Sequence, residues 1–284
     1  VKGALTNGKH VVTANKALIA THGEELFQVA DENKVVLAYE AAVAGGIPII
    51  KALREGLAGN KIEWVAGIVN GTTNYILSEM KDNDLSFDTA LKQAQELGFA
   101  EADPTFDIEG VDAAHKITIM ASIAFGIPIN FDAVFIEGIN GLDQKDISYA
   151  EELGYRIKLL ALAKLEERGV EVRVHPTLIP ESRLVANVSG PMNAVLVKGN
   201  MVGPTLYYGA GAGAEPTASA VVADIIDIAR QSQVSNKPFI PSLGFMTNQI
   251  KEKEILSIDD INSEFYLRLS MKNQAGSLAK ITKI

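Results

Sequence analysis

One stretch of the sequence concentrates groups able to hold an ammonium and move a proton. In LGFAEADPTFDIEGVDAAHK, residues 97–116, the carboxylates Glu101, Asp107, Glu109 and Asp112 precede Lys116. Asp112 and Lys116 stand four apart, so on a helix they share a face. Carboxylates at a helix N-terminus are favoured by its dipole. Acids gathered there can hold a substrate ammonium, while the lysine can polarise a carbonyl or protonate it. The same residues would also make a solvated loop with one surface ion pair, contributing roughly a few tenths of a kcal/mol. The run after Lys116 weighs against that reading: Ile117, Ile119, Met120, Ile123 and Phe125 make the segment apolar almost all round, as in a buried helix. A lysine on a buried helix needs a partner or a job.

A second lysine, Lys16, follows a short β-rich run in Thr13-Ala14-Asn15-Lys16. In open α/β sheets ligands bind beyond the carboxyl ends of the strands, a position that suits a functional Lys16, while a surface lysine in a first helical turn fits the residue equally well. Gly209-Ala210-Gly211-Ala212-Gly213-Ala214 ends at Pro216 and Thr217 before a helix, and resembles an anion cradle at a helix N-terminus. Its spacing is neither a P-loop nor the dinucleotide fingerprint, and a tight approach of two backbones fits it equally well. Asn70-Gly71-Thr72-Thr73-Asn74 can present backbone N–H groups to a carboxylate or simply cap the next helix. The four histidines lack metal-ligand spacing and read as structural.

The elements that must position these groups follow from apolar periodicity. Residues 10–13 read as a strand, 15–33 as a helix and 35–39 as a strand buried on both faces, which is the grammar of a parallel sheet. Strands are expected over 62–69, 133–137, 170–178, 184–187 and 194–197. Helices are expected over 72–80, 87–97 with Ser86 as N-cap, 111–125, 148–165 and 218–230. Val1-Lys2-Gly3 is expected to run into a strand, and Phe265, Leu267, Leu269 and Met271 alternate as on a strand face. The fold class is therefore α/β and α+β. Residues 1–43, with 214–235, are expected to form part of a Rossmann-like dinucleotide-binding domain, and 44–213 an α+β domain. A linker is expected over 236–262, marked by Asn236, Lys237, Pro238 and Pro241, and a last piece over 263–284.

The 284 residues are 47% hydrophobic with a net charge of −9, which suits a soluble globular chain and opposes binding to a phosphate backbone or anionic lipid. The absence of cysteine rules out disulfides, thiolate nucleophiles and Cys-ligated zinc, and fits a reducing cytoplasm. No apolar run approaches the ~18 residues a membrane helix needs. Both ends read as cut, with no initiating Met and an apolar helical pattern just beginning at residues 277–281.

Taken together, four segments in order resemble the homoserine dehydrogenase family over nearly the whole chain to about residue 230. They are T-A-N-K at 13–16, Y-E-A-A-V-A-G-G-I-P at 39–48, E-A-D-P through G-V-D-A-A-H-K at 101–116, and G-A-G-A-G-A-E-P-T-A at 209–218. The resemblance implies an enzyme that transfers hydride between NADP or NAD and aspartate 4-semialdehyde, giving L-homoserine. It implies that Lys116 and Lys16 are catalytic, with Lys16 also beside the nicotinamide. Glu101, Asp107, Asp112 and Lys116, with Gly71 and Thr72, are implied to hold the substrate, and Gly98 and Gly213 to border the cofactor. It further implies a monovalent cation, sodium, at Glu40, Val43, Gly45 and Ile47, mostly through main-chain carbonyls, and a homodimer or homotetramer. The tail at 266–279 resembles the start of an ACT regulatory domain, for which threonine is the expected effector. The first strand and glycine fingerprint of the family are not present, so the chain as it stands is expected to bind cofactor poorly. Another amino-acid dehydrogenase, or an amino-acid-binding module without catalysis, remains an alternative.

Overall fold

The computed structural model describes residues 1–234, 240–271 and 274–283. The linker positions Asn236, Lys237 and Pro238, and Asn273 of the tail, lie outside them. The chain opens with helix α1 (Lys2–Thr6), not a strand, and α1 packs on α2 through the fully buried Leu5. Strand β1 (Val11–Val12), helix α2 (Lys16–Asn33) and strand β2 (Leu37–Ala38) then form a parallel βαβ unit with Val11 opposite Leu37. Asn15 caps α2 by accepting from the Leu18 N–H at 3.0 Å, which fixes where the helix begins and sets Lys16 as its first residue.

After a turn over Glu40–Ala42, helix α3 (Ile49–Lys51) widens into a π-turn over Ala52–Gly56. Strand β3 (Ile62–Ile68), helices α4 (Gly71–Asp82), α5 (Phe87–Glu96), α6 (Thr105–Ile108) and α7 (Val111–Phe125), and strand β4 (Phe135–Ile136) follow. Helix α8 (Gln144–Glu152), strands β5 (Tyr155–Leu165), β6 (Val170–Pro180), β7 (Met192–Gly199) and β8 (Gly203–Ala210), helix α9 (Ala214–Val234) and helix α10 (Ser277–Ile281) complete the order. The second sheet runs β4-β6-β5-β3-β7-β8, antiparallel except where β4 meets β6. Helices α4, α7 and α8 cover one face of it, and α9 returns to β1 and the 40–42 turn.

The helix expected over 148–165 is instead helix α8 followed by strand β5. Its Leu, Ala and Lys residues favour a helix, but Gly154 takes φ +80 and stops α8. Beyond it Ile157, Leu159, Ala161 and Ala163 alternate into the core while β5 pairs with both β3 and β6. Tertiary pairing overrides local propensity here. Residues Leu184–Asn187 form a short 3₁₀ turn, not a strand. Val185 and Ala186 plug a small apolar cluster with Ile68, Ile179, Val188 and Ala194. Strand β8 lies where only a turn and a glycine-rich loop were expected. Residues 263–271 form no strand; Tyr266 and Arg268 instead bond to Asp146 at 3.0 and 2.7 Å.

The glycine-rich loop earns its composition from a close backbone approach. Gly45 has φ +47, and a Cβ there would stand 2.5 Å from the Gly211 carbonyl oxygen; a Cβ on Gly211 would overlap the buried Asn193 amide. Gly45→Ala is expected to lower stability by at least about 2 kcal/mol, since strain and clash act together. Thermal unfolding checks this, with Gly56→Ala as the control, because a Cβ at Gly56 meets nothing within 4 Å.

Candidate active site

Asp112 is the centre of the site. It sits on the first turn of α7, where the helix dipole favours a carboxylate, and is 4% exposed. Its Oδ2 accepts from Lys116 Nζ at 2.7 Å and from Asn70 Nδ2 at 2.8 Å, while Oδ1 pairs with Lys16 Nζ at 3.0 Å. Burial alone would push the Asp112 carboxyl up, but Lys116 and Lys16, with their hydrogen bonds and that of Asn70, hold it at about 2. The carboxylate therefore stays ionised between two ammonium groups.

Each lysine reaches this point from a separate part of the fold. Lys116, 9% exposed, also donates to the Val69 carbonyl at 2.6 Å, at the end of β3. With two N–H bonds committed, one remains for a ligand. Lys16 starts α2 just beyond the carboxyl end of β1, is partly open to solvent, and lies 5.5 Å from the Phe106 ring centroid. Helices α2 and α7 pack on one another, which brings the two lysines onto one carboxylate.

Asp107 completes the cluster. It accepts from Asn70 Nδ2 at 2.7 Å and Thr72 Oγ1 at 3.1 Å; burial raises its carboxyl, assisted by the Asp112 charge and opposed by these hydrogen bonds and by Lys116. Thr72 Oγ1 also donates to the Phe99 carbonyl at 2.6 Å, which ties the 97–101 loop to the site. Glu101 is exposed on that loop, and among the described residues no side chain bonds to its carboxylate. Gly71 is the first residue of α4, with Pro191 O only 2.8 Å from where its Cβ would stand. Gly98 and Gly213 occupy turns with φ +76 and φ +116, one after α5 and one before α9, outside the bonded cluster.

Asn70 is the residue whose role the sequence did not disclose. Its Oδ1 caps α4 by accepting from the Thr73 N–H at 2.8 Å, as an N-cap should, while its Nδ2 bridges both aspartates. The His115 ring packs between Phe106 and Phe131 with Nδ1 buried and unpartnered, and burial keeps its pKa low. Away from this cluster, the Glu40 carboxylate accepts from the Ile50 and Lys51 N–H groups, both at 2.9 Å, so it serves as a helix cap, with burial raising its pKa to about 7. No group of three or more His, Cys, Asp or Glu residues among the described residues is arranged to hold a metal. No helix among them is long and apolar enough to cross a membrane.

A parallel βαβ unit delivers a lysine to a buried lysine–carboxylate cluster backed by an antiparallel sheet, which defines a two-part fold with an α/β piece and an α+β piece. A family model described as homoserine dehydrogenase matches residues 48–226, and one described as the homoserine dehydrogenase NAD binding domain matches residues 1–40. The chain belongs to the homoserine dehydrogenase family. It is 60% identical over 281 residues to a homoserine dehydrogenase of Neisseria gonorrhoeae and 58% identical over 281 residues to one of Pseudomonas aeruginosa, in each case over 99% of this chain and 65% of the relative. The chain thus spans about 65% of the length of the curated relatives it matches. Among solved structures it resembles a homoserine dehydrogenase from Thiobacillus denitrificans, with a TM-score of 0.93 and 57% identity over 99% of this chain and 65% of that one. It also resembles a hyperthermophilic archaeal homoserine dehydrogenase in complex with NADPH, with a TM-score of 0.70 and 32% identity over 81% of this chain and 67% of that one.

Proposed function

We propose that the protein transfers hydride reversibly between NAD(P)H and aspartate 4-semialdehyde, giving L-homoserine. The single observation that carries this reading is the Asp112 carboxylate shared by Lys116 and Lys16 at 2.7 and 3.0 Å. The nicotinamide supplies the hydride when bound; Lys16, Gly98 and Gly213 are the residues assigned to border it. As the carbonyl carbon gains hydride, the C=O π pair moves onto oxygen. The remaining N–H of Lys116 stabilises that alkoxide and gives it a proton, with Lys16 adding a second positive charge. Asp112 keeps both lysines aimed at one point, and Asp107 with Asn70 and Thr72 shapes the floor. Glu101, whose carboxylate has no side-chain partner among the described residues, is assigned to the substrate ammonium, which turns the aldehyde toward the nicotinamide.

Assay of the full-length protein tests this. Homoserine should reduce NADP or NAD, followed by nicotinamide absorbance, while aspartate and saccharopine should not. Reduction with either of those and none with homoserine would sink the assignment.

The 40–47 turn suits a hard monovalent cation such as sodium. Val43 is fully buried, and among the described residues no N–H donates to the carbonyls of Val43 or Gly45; the Ile47 carbonyl already accepts from Ile49 N at 2.7 Å. The ligands assigned there are carbonyl oxygens, with the Glu40 carboxylate occupied as a cap. The tail from residue 263 is read as the start of an ACT domain sensing threonine, attached to the catalytic part through Asp146. A cytoplasmic setting accords with the lack of cysteine.

We also assign the uncovered face of the second sheet to a second copy of this chain. Beyond the part that Val185 and Ala186 cover, Trp64, Leu162, Leu206 and Tyr208 share that face by register, and Leu206 and Tyr208 are 37% and 58% exposed. Arg173 and His175 lie on the same face by register. Leu206→Asp should convert a dimer to a monomer in light scattering; an unchanged mass would reject this face as the interface.

A further inference from the structure

Outside the lysine–carboxylate cluster, one ammonium among the described residues is buried with only neutral acceptors. Lys158, on β5, is 3% exposed and donates to Asn74 Oδ1 at 3.0 Å and to the Val188 carbonyl at 2.6 Å. Burial pulls its pKa down to about 8, with Arg156 and Lys81 acting in the same sense and Asp82 opposing them. A group so costly to bury would be better replaced by an apolar residue, unless the bonds it makes matter.

Those bonds converge on a turn beside the active site. Asn74 and Ser78 lie one turn apart on α4. Asn74 Nδ2 donates to the carbonyls of Val188, Gly190 and Met192 at 3.1, 2.8 and 3.1 Å. Ser78 Oγ accepts from the Gly190 N–H at 3.1 Å and donates to the Asn74 carbonyl at 2.7 Å. The 188–192 turn is thus tied to α4 by its own backbone. The next residue of that turn, Pro191, sets its carbonyl against Gly71, leaving no room for a side chain there. Gly71 follows Asn70, whose amide bridges Asp107 and Asp112, and precedes Thr72, which donates to Asp107.

We propose that Lys158 is a positioning residue for the substrate site, locking the 188–192 turn against the first turn of α4 so that Asn70 and Thr72 hold the two aspartates in register. The proposal rests on the oxidoreductase reading of that site. Lys158 touches none of the reacting groups; it acts through Asn74, the turn and Gly71.

The test uses the full-length enzyme and the variant Lys158→Met, which keeps the length of the side chain without its charge or donors. Its KM for homoserine should rise by about 10-fold, with kcat changed by less than roughly threefold and the cofactor KM unchanged, since a small displacement of positioning groups is felt mainly by the ligand they hold. Amide hydrogen exchange at residues 70–74 and 188–192 should speed up relative to wild type. An unchanged KM, or unchanged exchange at those amides, overturns the proposal even if the melting temperature shifts. If wild-type enzyme itself turns over no homoserine, the activity reading fails separately and the exchange result alone decides the role of Lys158. Should Lys158→Met not fold, Ser78→Ala, which removes one bond of the same clamp, should show the same changes at a smaller size; wild-type KM and exchange in that variant would overturn the proposal.

Discussion

Replacing Lys116 by Ala is expected to lower kcat of the full-length enzyme by about 10³-fold while leaving the protein folded. The loss is large because Lys116 carries the only N–H in the cluster that is buried, oriented by two fixed acceptors and still unspent. On the proposed mechanism, a buried donor fixed in this way would meet the developing alkoxide without reorganising, which is where electrostatic stabilisation is strongest. The fold should survive because no charge is stranded: Asp112 keeps Lys16 at 3.0 Å and Asn70 at 2.8 Å. The Val69 carbonyl loses its donor, a cost of about 1–3 kcal/mol that would lower the melting temperature without unfolding the domain. Lys116→Arg should rescue little, since a planar guanidinium cannot take the place of a compact ammonium bonded at 2.6 and 2.7 Å. Steady-state kinetics alongside thermal unfolding decide the matter. Turnover within tenfold of wild type in Lys116→Ala would remove this lysine from the chemistry.

How much of this was legible in the sequence depends on how local each signal is. The pairing of Asp112 with Lys116 follows from i,i+4 spacing on a helix whose apolar run announces its burial, and the 2.7 Å contact is where that spacing puts it. The cap at Ser86 was legible for the same reason, whereas Asn15, read as part of the helix over 15–33, is its cap. Lys16 meets Asp112 only because α2 packs on α7, and no spacing rule reaches that far; position at a strand's carboxyl end was the one available hint. Asn70 reads as an N-cap from sequence and is one, yet its amide nitrogen is what joins the two aspartates. A residue with one sufficient local role hides a second that depends on tertiary structure. The strand β5 was hidden by helix-forming residues whose alternation matters only once β3 and β6 lie on either side. Lys158 was invisible inside that misread helix, where a lysine looks like surface.

Asp112→Asn should cost about 3–5 kcal/mol of stability and abolish measurable turnover. The amide keeps the shape but leaves two ammonium groups facing each other with no negative charge between them. The Lys16 side chain, 30% exposed, can turn toward solvent; that of Lys116, at 11%, cannot, and stays buried beside a neutral amide. The acid limb of stability provides an independent check. Asp112 is held at about 2 in the folded protein against an ordinary value of 3.8, so its contribution is fully present above pH 4 and is lost as pH falls through about 2. The difference is worth about 2 kcal/mol. Burial raises the Asp107 carboxyl, which therefore titrates in the opposite sense, favouring the folded state as pH falls. The wild-type curve alone would mix the two groups. The gap between wild-type and Asp112→Asn unfolding free energies isolates Asp112 and its coupling to Asp107, and should narrow by about 2 kcal/mol between pH 4 and pH 2. Urea unfolding across that range measures it. Parallel curves would mean that the carboxylate is not held ionised by its lysines, and the proposed aiming of Lys116 at the substrate would lose its support.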